Sequence, residues 1–539
     1  MFTRASAPSA RFRLIYLFIL TLVGVWFLGS RLSMAPVPWP DGAAYYLPGI
    51  ELVSTHPLWR MHNQAAFVPS YDQASFNIPP GLPFLFGVTD VIGVNELYGA
   101  QFGLRMVSIA GLLALGWLVF KLSERKLPGL LAAVLGLSAV LDPISRWGAM
   151  AVRTEIWVAL AGAFLLMELE RERKRFWIIS LILAVAALFH YDAIILVPAA
   201  VIGLYPRVAE KPAREWFGSL LRVGVGTLVF LSPFILYTAL HFSFFVEQMG
   251  TQFARLSHGN LSIGHRFFYD SFHALFLDAG NPSGPPKFFN IGKFIIWLTI
   301  FSASIVTLNH PKKFHASLTA GASFFSALYL WATKPEFWFV SLAHFMLWPF
   351  LAFAISDLLN HGYRRSGRIL ATLVAAFLGV AFISTIIQSR AILPYYSWKN
   401  LAHFENCIKR QIIHSQAPFR IWELGYPDVL VDLAQNDRSL DLTRSLDFPN
   451  KVDMALGQTS TYQMIIFNNF SDYPAELGAG IYEGPPRRSI FFDDQLLHNG
   501  RIPYGSFIWN YLNREDQKSQ WKFKVCQSGP FWATLALRN

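Results

Sequence analysis

Hydrophobic positions along this chain gather in long runs instead of alternating at a strand or amphipathic-helix period. Runs of about 15 to 24 residues with few charges recur, separated by short segments that hold Lys and Arg. Such runs fit bilayer-spanning helices, the structures that satisfy their own backbone groups in lipid. The pattern predicts spans at roughly 14–33, 98–120, 128–145, 155–170, 176–190, 192–205, 217–240, 290–308, 316–332, 337–358 and 369–388, about eleven in all. The chain therefore reads as a multi-pass α-helical membrane protein.

Charge sets the orientation of those spans. Arg4, Arg11 and Arg13; Lys121, Arg125 and Lys126; Arg171, Arg173, Lys174 and Arg175; Arg207, Lys211 and Arg214; Lys312 and Lys313; and Arg364, Arg365 and Arg368 all fall on one side. The opposite loops hold only Arg60, Arg146, Arg153, Arg255, Arg266, Lys287 and Lys334, although two of them are long. By the positive-inside rule the first set is cytoplasmic, as is the N-terminus. Outer loops then cover 34–97 and 241–289, and residues 389–539 lie on the periplasmic or extracellular face of a plasma (inner) membrane. The first run, with Ser33-Met34-Ala35 after it, also looks like a signal peptide, but its length and Pro36 favour an uncleaved span. Either choice puts residue 41 outside.

Composition agrees with this picture and narrows it. The 539 residues are 53% apolar and 15% charged, which excludes a disordered chain, a coiled coil and a disulfide scaffold. The formal net charge of +11 would raise nucleic acid as a partner in a soluble protein. Here the excess is the topology signal itself, so no nucleic acid is expected.

Residues 389–539 have another composition, with about 21% charged residues against about 12% in 1–388. They read as a separate soluble α/β domain following a membrane domain over 1–388. Phe419 to Leu424, Tyr462 to Phe467 and Ser489 to Phe492 have strand patterns, Trp521 to Cys526 and Phe531 to Leu537 form a closing hairpin, and Pro427 to Gln435 has helical spacing. Cys407 and Cys526 both fall here, and sequence alone leaves a disulfide and two buried thiols equally open.

Candidate chemistry concentrates on the outer side. Asp41 follows the first span by a few residues, in Pro38-Trp39-Pro40-Asp41-Gly42-Ala43-Ala44-Tyr45. A carboxylate at the membrane surface beside aromatic rings is suited to deprotonating a hydroxyl, while Pro-Asp-Gly alone reads as a turn. Phe76 to Gly87 is an apolar, proline-rich run too short to span, expected to lie at the interface. Arg146 and Arg153 precede Glu155, which opens a span; guanidinium groups there suit a lipid phosphate, while Glu155 alone is a favourable first-turn acid. The 241–289 loop carries Arg266 among several aromatic residues, and its Asp270 and His273 read better as solvated residues than as metal ligands.

In their order and sidedness these features resemble the GT-C glycosyltransferases, in particular the branch with protein O-mannosyltransferases and the lipid A aminoarabinose transferase. Asp41 to Tyr45 resembles the acidic site after the first span, with Gly42 where a second acid is usual. Pro79-Pro80-Gly81-Leu82 matches a Pro-Pro-Leu segment, with Phe76-Asn77-Ile78 where a Lys often stands. Arg153-Thr154-Glu155 matches an Arg-x-Asp step, His190-Tyr191-Asp192-Ala193 a short turn before an apolar run, and His344-Phe345 a late Arg-Tyr pair.

The resemblance implies inverting transfer of a sugar from a polyprenyl-phosphate donor to an acceptor hydroxyl of a glycolipid, lipopolysaccharide or protein at the outer face. It makes Asp41 the general base, helped by Glu155, and Arg146, Arg153, Arg266, Lys334, Tyr45 and His344 the substrate and phosphate contacts. No metal is assigned; a divalent cation stays open as cofactor because some members use one. Two alternatives stand beside this reading: a flippase or transporter of lipid-linked sugars, and a non-catalytic envelope scaffold. Transport would call for mid-membrane ionisable groups or broken helices, and Ser232-Pro233 is the one obvious interruption in the predicted spans.

Overall fold

The computed structural model describes residues 10–32, 76, 79–92, 100–142, 145, 154–206, 212–256, 304, 308, 314–333, 340–392, 398–412, 419–424, 440–445, 456–457, 459–468, 508, 511–528 and 531–539. Its helices are α1 (Ala10–Leu32), α2 (Gly81–Val91), α3 (Ala100–Glu124), α4 (Gly129–Leu141), α5 (Glu155–Leu169), α6 (Phe176–Phe189), α7 (Leu196–Gly203), α8 (Pro212–Leu240), α9 (Phe242–Leu256), α10 (His315–Thr333), α11 (Val340–Asn360), α12 (Arg364–Ile392) and α13 (Trp398–Lys409). Each predicted span falls on a helix except 290–308, which lies largely outside the described residues.

Among the described residues, four helices are long and apolar enough to cross a membrane: Met106–Glu124, Ala213–Leu240, Ser341–Asn360 and Arg364–Ile383. Their surroundings differ sharply. The Ser341–Asn360 span is 89% buried and the Ala213–Leu240 span only 6%. Helix α11 is therefore the hub, packed against α3, α4, α5, α10 and α12, while α8 offers its apolar surface to lipid. The expected interruption at Ser232-Pro233 does not occur as a break: α8 runs through Pro233, and α11 likewise runs through Pro349.

Close approach of backbones replaces a hydrophobic driving force inside a bilayer, so small residues mark the tight joints. A Cβ on Gly136 of α4 would stand 2.6 Å from the Gly116 carbonyl of α3. Tyr16 of α1 seals the same joint, donating its hydroxyl to Gly116 O at 3.1 Å and stacking on Phe120 at 4.1 Å between ring centres. Gly81, the first residue of α2, packs where a Cβ would lie 2.7 Å from the Leu188 carbonyl of α6.

The C-terminal part is a five-stranded mixed sheet in the order β2-β1-β3-β5-β4, built from β1 (Phe419–Leu424), β2 (Leu440–Ser445), β3 (Met464–Asn468), β4 (Trp521–Ser528) and β5 (Phe531–Arg538). Strand β1 is parallel to β2 and β3, whereas β5 is antiparallel to β3 and β4. Trp422, Tyr462, Ile465, Leu535 and Ala536 are buried in it. A disulfide joins Cys407 of α13 to Cys526 of β4, resolving the alternative left open by sequence. The expected strand at Ser489 to Phe492 and helix at Pro427 to Gln435 lie outside the described residues.

Candidate functional site

Buried ionisable groups form two layers at opposite ends of the helical bundle, and the two layers differ in chemistry. At the Lys/Arg-rich end, Glu124 binds Arg13 at 3.0 Å and Lys121 at 2.6 Å. Glu168 binds Arg171 at 3.0 Å and Arg175 at 2.9 Å, and Lys126 meets Glu170 at 2.6 Å. Lys174 donates to the Gly203 carbonyl, and Ser317 donates to Asp357 through its hydroxyl and its backbone N–H. These contacts bring the starts of α1, α6 and α10 to the same end as the termini of α3, α5, α7 and α11. Each carboxylate taken from water here is compensated by a cation or a pair of donors, as burial requires.

The opposite end holds carboxylates of another kind, set beside imidazoles and hydroxyls. Asp142 follows α4 directly, and its backbone N–H caps that helix on Ser138 O. Its Oδ2 lies 3.0 Å from Nδ1 of His344, one turn into α11, with side-chain exposures of 1% and 2%. A carboxylate accepts, so this hydrogen bond runs from the His344 Nδ1–H to Asp142. Glu155 is also buried, in the first turn of α5, where the helix dipole favours an anion; the Thr154 hydroxyl stands 3.5 Å from its Oε2. At the same end, the Asp192 N–H donates to His190 Nδ1 at 3.0 Å, capping the 3-10 turn Tyr191–Ile195.

That turn also holds Phe76, three residues before Pro79-Pro80. The Tyr191 hydroxyl donates to the Phe76 carbonyl at 2.7 Å, and the Phe76 N–H donates to Gln248 Oε1 of α9 at 2.7 Å. The Phe76 ring is enclosed by Phe234, Tyr237 and Phe245. Phe76 is thus gripped between a turn after α6 and the amphipathic helix α9.

Of the residues named from sequence, Glu155 and His344 stand at this one end, on helices α5 and α11 that pack against each other. Asp41, Tyr45, Arg146, Arg153, Arg266 and Lys334 lie outside the described residues, as do Asp270 and His273. Among the described residues, no group of three or more His, Cys, Asp or Glu is placed to hold a metal ion. Asp142 escaped the sequence reading. Its partner is 202 residues away, and its only local mark is a carboxylate that ends an apolar run.

No family model and no curated protein matches the chain. Solved structures do. ArnT from Cupriavidus metallidurans bound to undecaprenyl phosphate superposes with a TM-score of 0.57 at 12% identity, over 97% of this chain and 98% of that one. Archaeal oligosaccharyltransferase AglB from Archaeoglobus fulgidus, in complex with an inhibitory peptide and a dolichol-phosphate, gives 0.51 at 11% identity over 87% and 71%. The apo form of the Archaeoglobus fulgidus oligosaccharyltransferase gives 0.53 at 10% identity over 95% and 79%. The chain shares its fold with these GT-C membrane glycosyltransferases, as the ordered motifs led us to expect.

Proposed function

We propose that this protein transfers a sugar from a polyprenyl-phosphate carrier to an acceptor hydroxyl at the outer face of the membrane, with inversion at the anomeric carbon. The observation that carries this reading is the end-to-end likeness to ArnT holding undecaprenyl phosphate, which includes the helical bundle and the C-terminal sheet alike. Asp41 takes the proton of the acceptor hydroxyl as its oxygen attacks the anomeric carbon and the bond to the phosphate oxygen breaks. Glu155, anchored at the start of α5, positions the base. The departing phosphate gathers negative charge, for which Arg146, Arg153, Arg266, Lys334 and His344 are the partners and Tyr45 a further substrate contact. The acceptor is a cell-envelope glycolipid, a lipopolysaccharide or a protein.

Two independent features support an outer location for the chemistry. The Lys/Arg-rich layer belongs to the cytoplasmic side by the positive-inside rule, which puts Asp142, Glu155 and His344 at the other face. The Cys407–Cys526 disulfide needs an oxidising compartment, which suits residues 389–539 outside the cytoplasm. The test compares envelope glycans and accumulated polyprenyl-phosphate sugars in cells with the gene, without it, and with Asp41→Asn. The expected result is a missing glycan and an accumulated donor in the last two. Identical profiles in all three strains, with the protein expressed, overturn the proposal.

A further inference from the structure

We infer that Arg222 of α8, laid over the Phe176 ring of α6, binds the phosphate of an anionic phospholipid in the leaflet at the Lys/Arg-rich end of the bundle. The site lies at the opposite end from Glu155 and does not depend on the transfer reading.

Charge comes first. Arg222 is exposed on the least buried of the four spans, where the surrounding medium is lipid. No carboxylate among the described residues pairs with it; its partner is the Phe176 ring, whose centre lies 5.7 Å from Cζ. A ring face supports a guanidinium without neutralising it and leaves the N–H edge of the fork open. The anion that a bilayer supplies to such a cation is a headgroup phosphate, which the planar fork can engage through two parallel hydrogen bonds.

Depth and space agree with that ligand. Arg222 belongs to a span, yet its guanidinium reaches the level of Phe176, the first residue of α6, which follows Arg175 and its ion pair with Glu168. Helical side chains lean toward their own N-terminus, so Arg222 points out of the apolar zone toward the headgroups. Trp177 at the same level is 61% exposed, and such rings mark the membrane interface. One turn deeper the seam between α6 and α8 is closed: Ser180 donates to the Val223 carbonyl at 3.0 Å, and a Cβ on Gly226 would stand 2.5 Å from the Ser180 hydroxyl. One turn toward the helix start, a Cβ on Gly218 would meet nothing within 4 Å. A headgroup can therefore lie against Arg222 at the foot of the seam, where it ties α8 to its main neighbour α6.

The test uses full-length protein in detergent, with phosphatidylglycerol as the probe and phosphatidylcholine as the comparison, reading binding by native mass spectrometry and melting temperature together. Arg222→Gln should weaken phosphatidylglycerol binding about five- to tenfold and leave phosphatidylcholine binding as it was. Its melting temperature without lipid should match that of wild type, and phosphatidylglycerol should raise the wild-type value more than the variant's. Arg222→Lys, which keeps the charge without the fork, should fall between the two. Arg214→Gln removes an equal charge eight residues nearer the helix start and should cost less than about twofold. Wild-type phosphatidylglycerol affinity in Arg222→Gln overturns the inference. Equal weakening by Arg214→Gln and Arg222→Gln overturns it too, since the attraction would then belong to the surface as a whole. So does weakened binding of undecaprenyl phosphate with phosphatidylglycerol binding unchanged. Should Arg222→Gln not fold, a photoactivatable phosphatidylglycerol added to wild type decides: cross-links in 173–177 and 216–225 are expected, and their absence from both segments overturns the inference. Each of these outcomes leaves the transfer reading untouched.

Discussion

The Tyr191 hydroxyl reaches across 115 positions of sequence to donate to the Phe76 carbonyl at 2.7 Å, while Gln248 accepts from the N–H of the same residue. Both backbone polar groups of Phe76 are thereby held, one by the turn that follows α6 and the other by helix α9.

Removing one side of that grip should loosen the segment without unfolding the bundle. Tyr191→Phe leaves a buried carbonyl without its donor, a loss of about 1–3 kcal/mol. Combined with Gln248→Ala, it should lower the melting temperature in detergent further and reduce sugar transfer more than tenfold, since both backbone partners of Phe76 are then lost. Full transfer activity in the double variant would separate this segment from the reaction.

The joint between α1, α3 and α4 makes a sharper structural prediction. Gly136→Ala puts a methyl group against the Gly116 carbonyl at about 2.6 Å and against the Tyr16 hydroxyl, and backbone atoms cannot yield as a flexible side-chain end does. Overpacking of this kind should cost about 1–3 kcal/mol. Tyr16→Phe, which removes only the hydroxyl, should cost about 1 kcal/mol and should soften the Gly136→Ala penalty when the two are combined. Thermal melts of the two single variants and the double variant in one detergent check both signs.

What could be read from sequence follows from the range of the forces involved. Helices driven by burial in lipid announce themselves as apolar runs, and the strand Phe419–Leu424 appears where its alternation predicts it. Elements held by neighbours were harder to read. The Leu440–Ser445 strand sits at a sheet edge with Asp441 and Arg444 in it and was not seen. Helix α2 carries Pro83 in its first turn, where proline is tolerated, but the prolines around it hid the helix. The expected span 192–205 begins as a 3-10 turn, because the His190 side chain caps Asp192 N–H before α7 starts. Long-range pairs were invisible altogether: Asp142 with His344, and Tyr191 with Phe76, have no shared periodicity to find. Glu155 and His344 were legible only through motif order, and nothing in either residue's local spacing distinguishes it from a helix cap or a core histidine.

Topology can be read with thiol labelling, because the chain's two cysteines are both in the disulfide and an introduced one is the sole free thiol. Glu172→Cys lies in the exposed turn beside the Arg171–Arg175 cluster, and Lys522→Cys on an exposed position of β4. In intact cells or right-side-out vesicles, a membrane-impermeant maleimide should modify Lys522→Cys at once and Glu172→Cys only after permeabilisation. The reverse pattern would put the bound carboxylates Glu124, Glu168 and Glu170 on the outer side and the Asp142–His344 pair inside, and it would remove the outer-face reaction with them.

The disulfide closes a loop between Cys407 and Cys526, 119 residues apart. Cross-linking so long a loop restricts the unfolded ensemble strongly, and its loss should cost about 2–5 kcal/mol in the chain-entropy picture. The penalty falls on the sheet, since Cys526 is in its edge strand β4 and Cys407 in the helix packed on that strand. Cys407→Ser with Cys526→Ser, or reductant added to the wild-type protein, should therefore lower a melting transition of residues 398–539 and leave that of the helical bundle in place. Differential scanning calorimetry in detergent resolves the two. A single transition that moves as a whole would mean that sheet and bundle unfold as one unit, contrary to the separate soluble domain expected from composition.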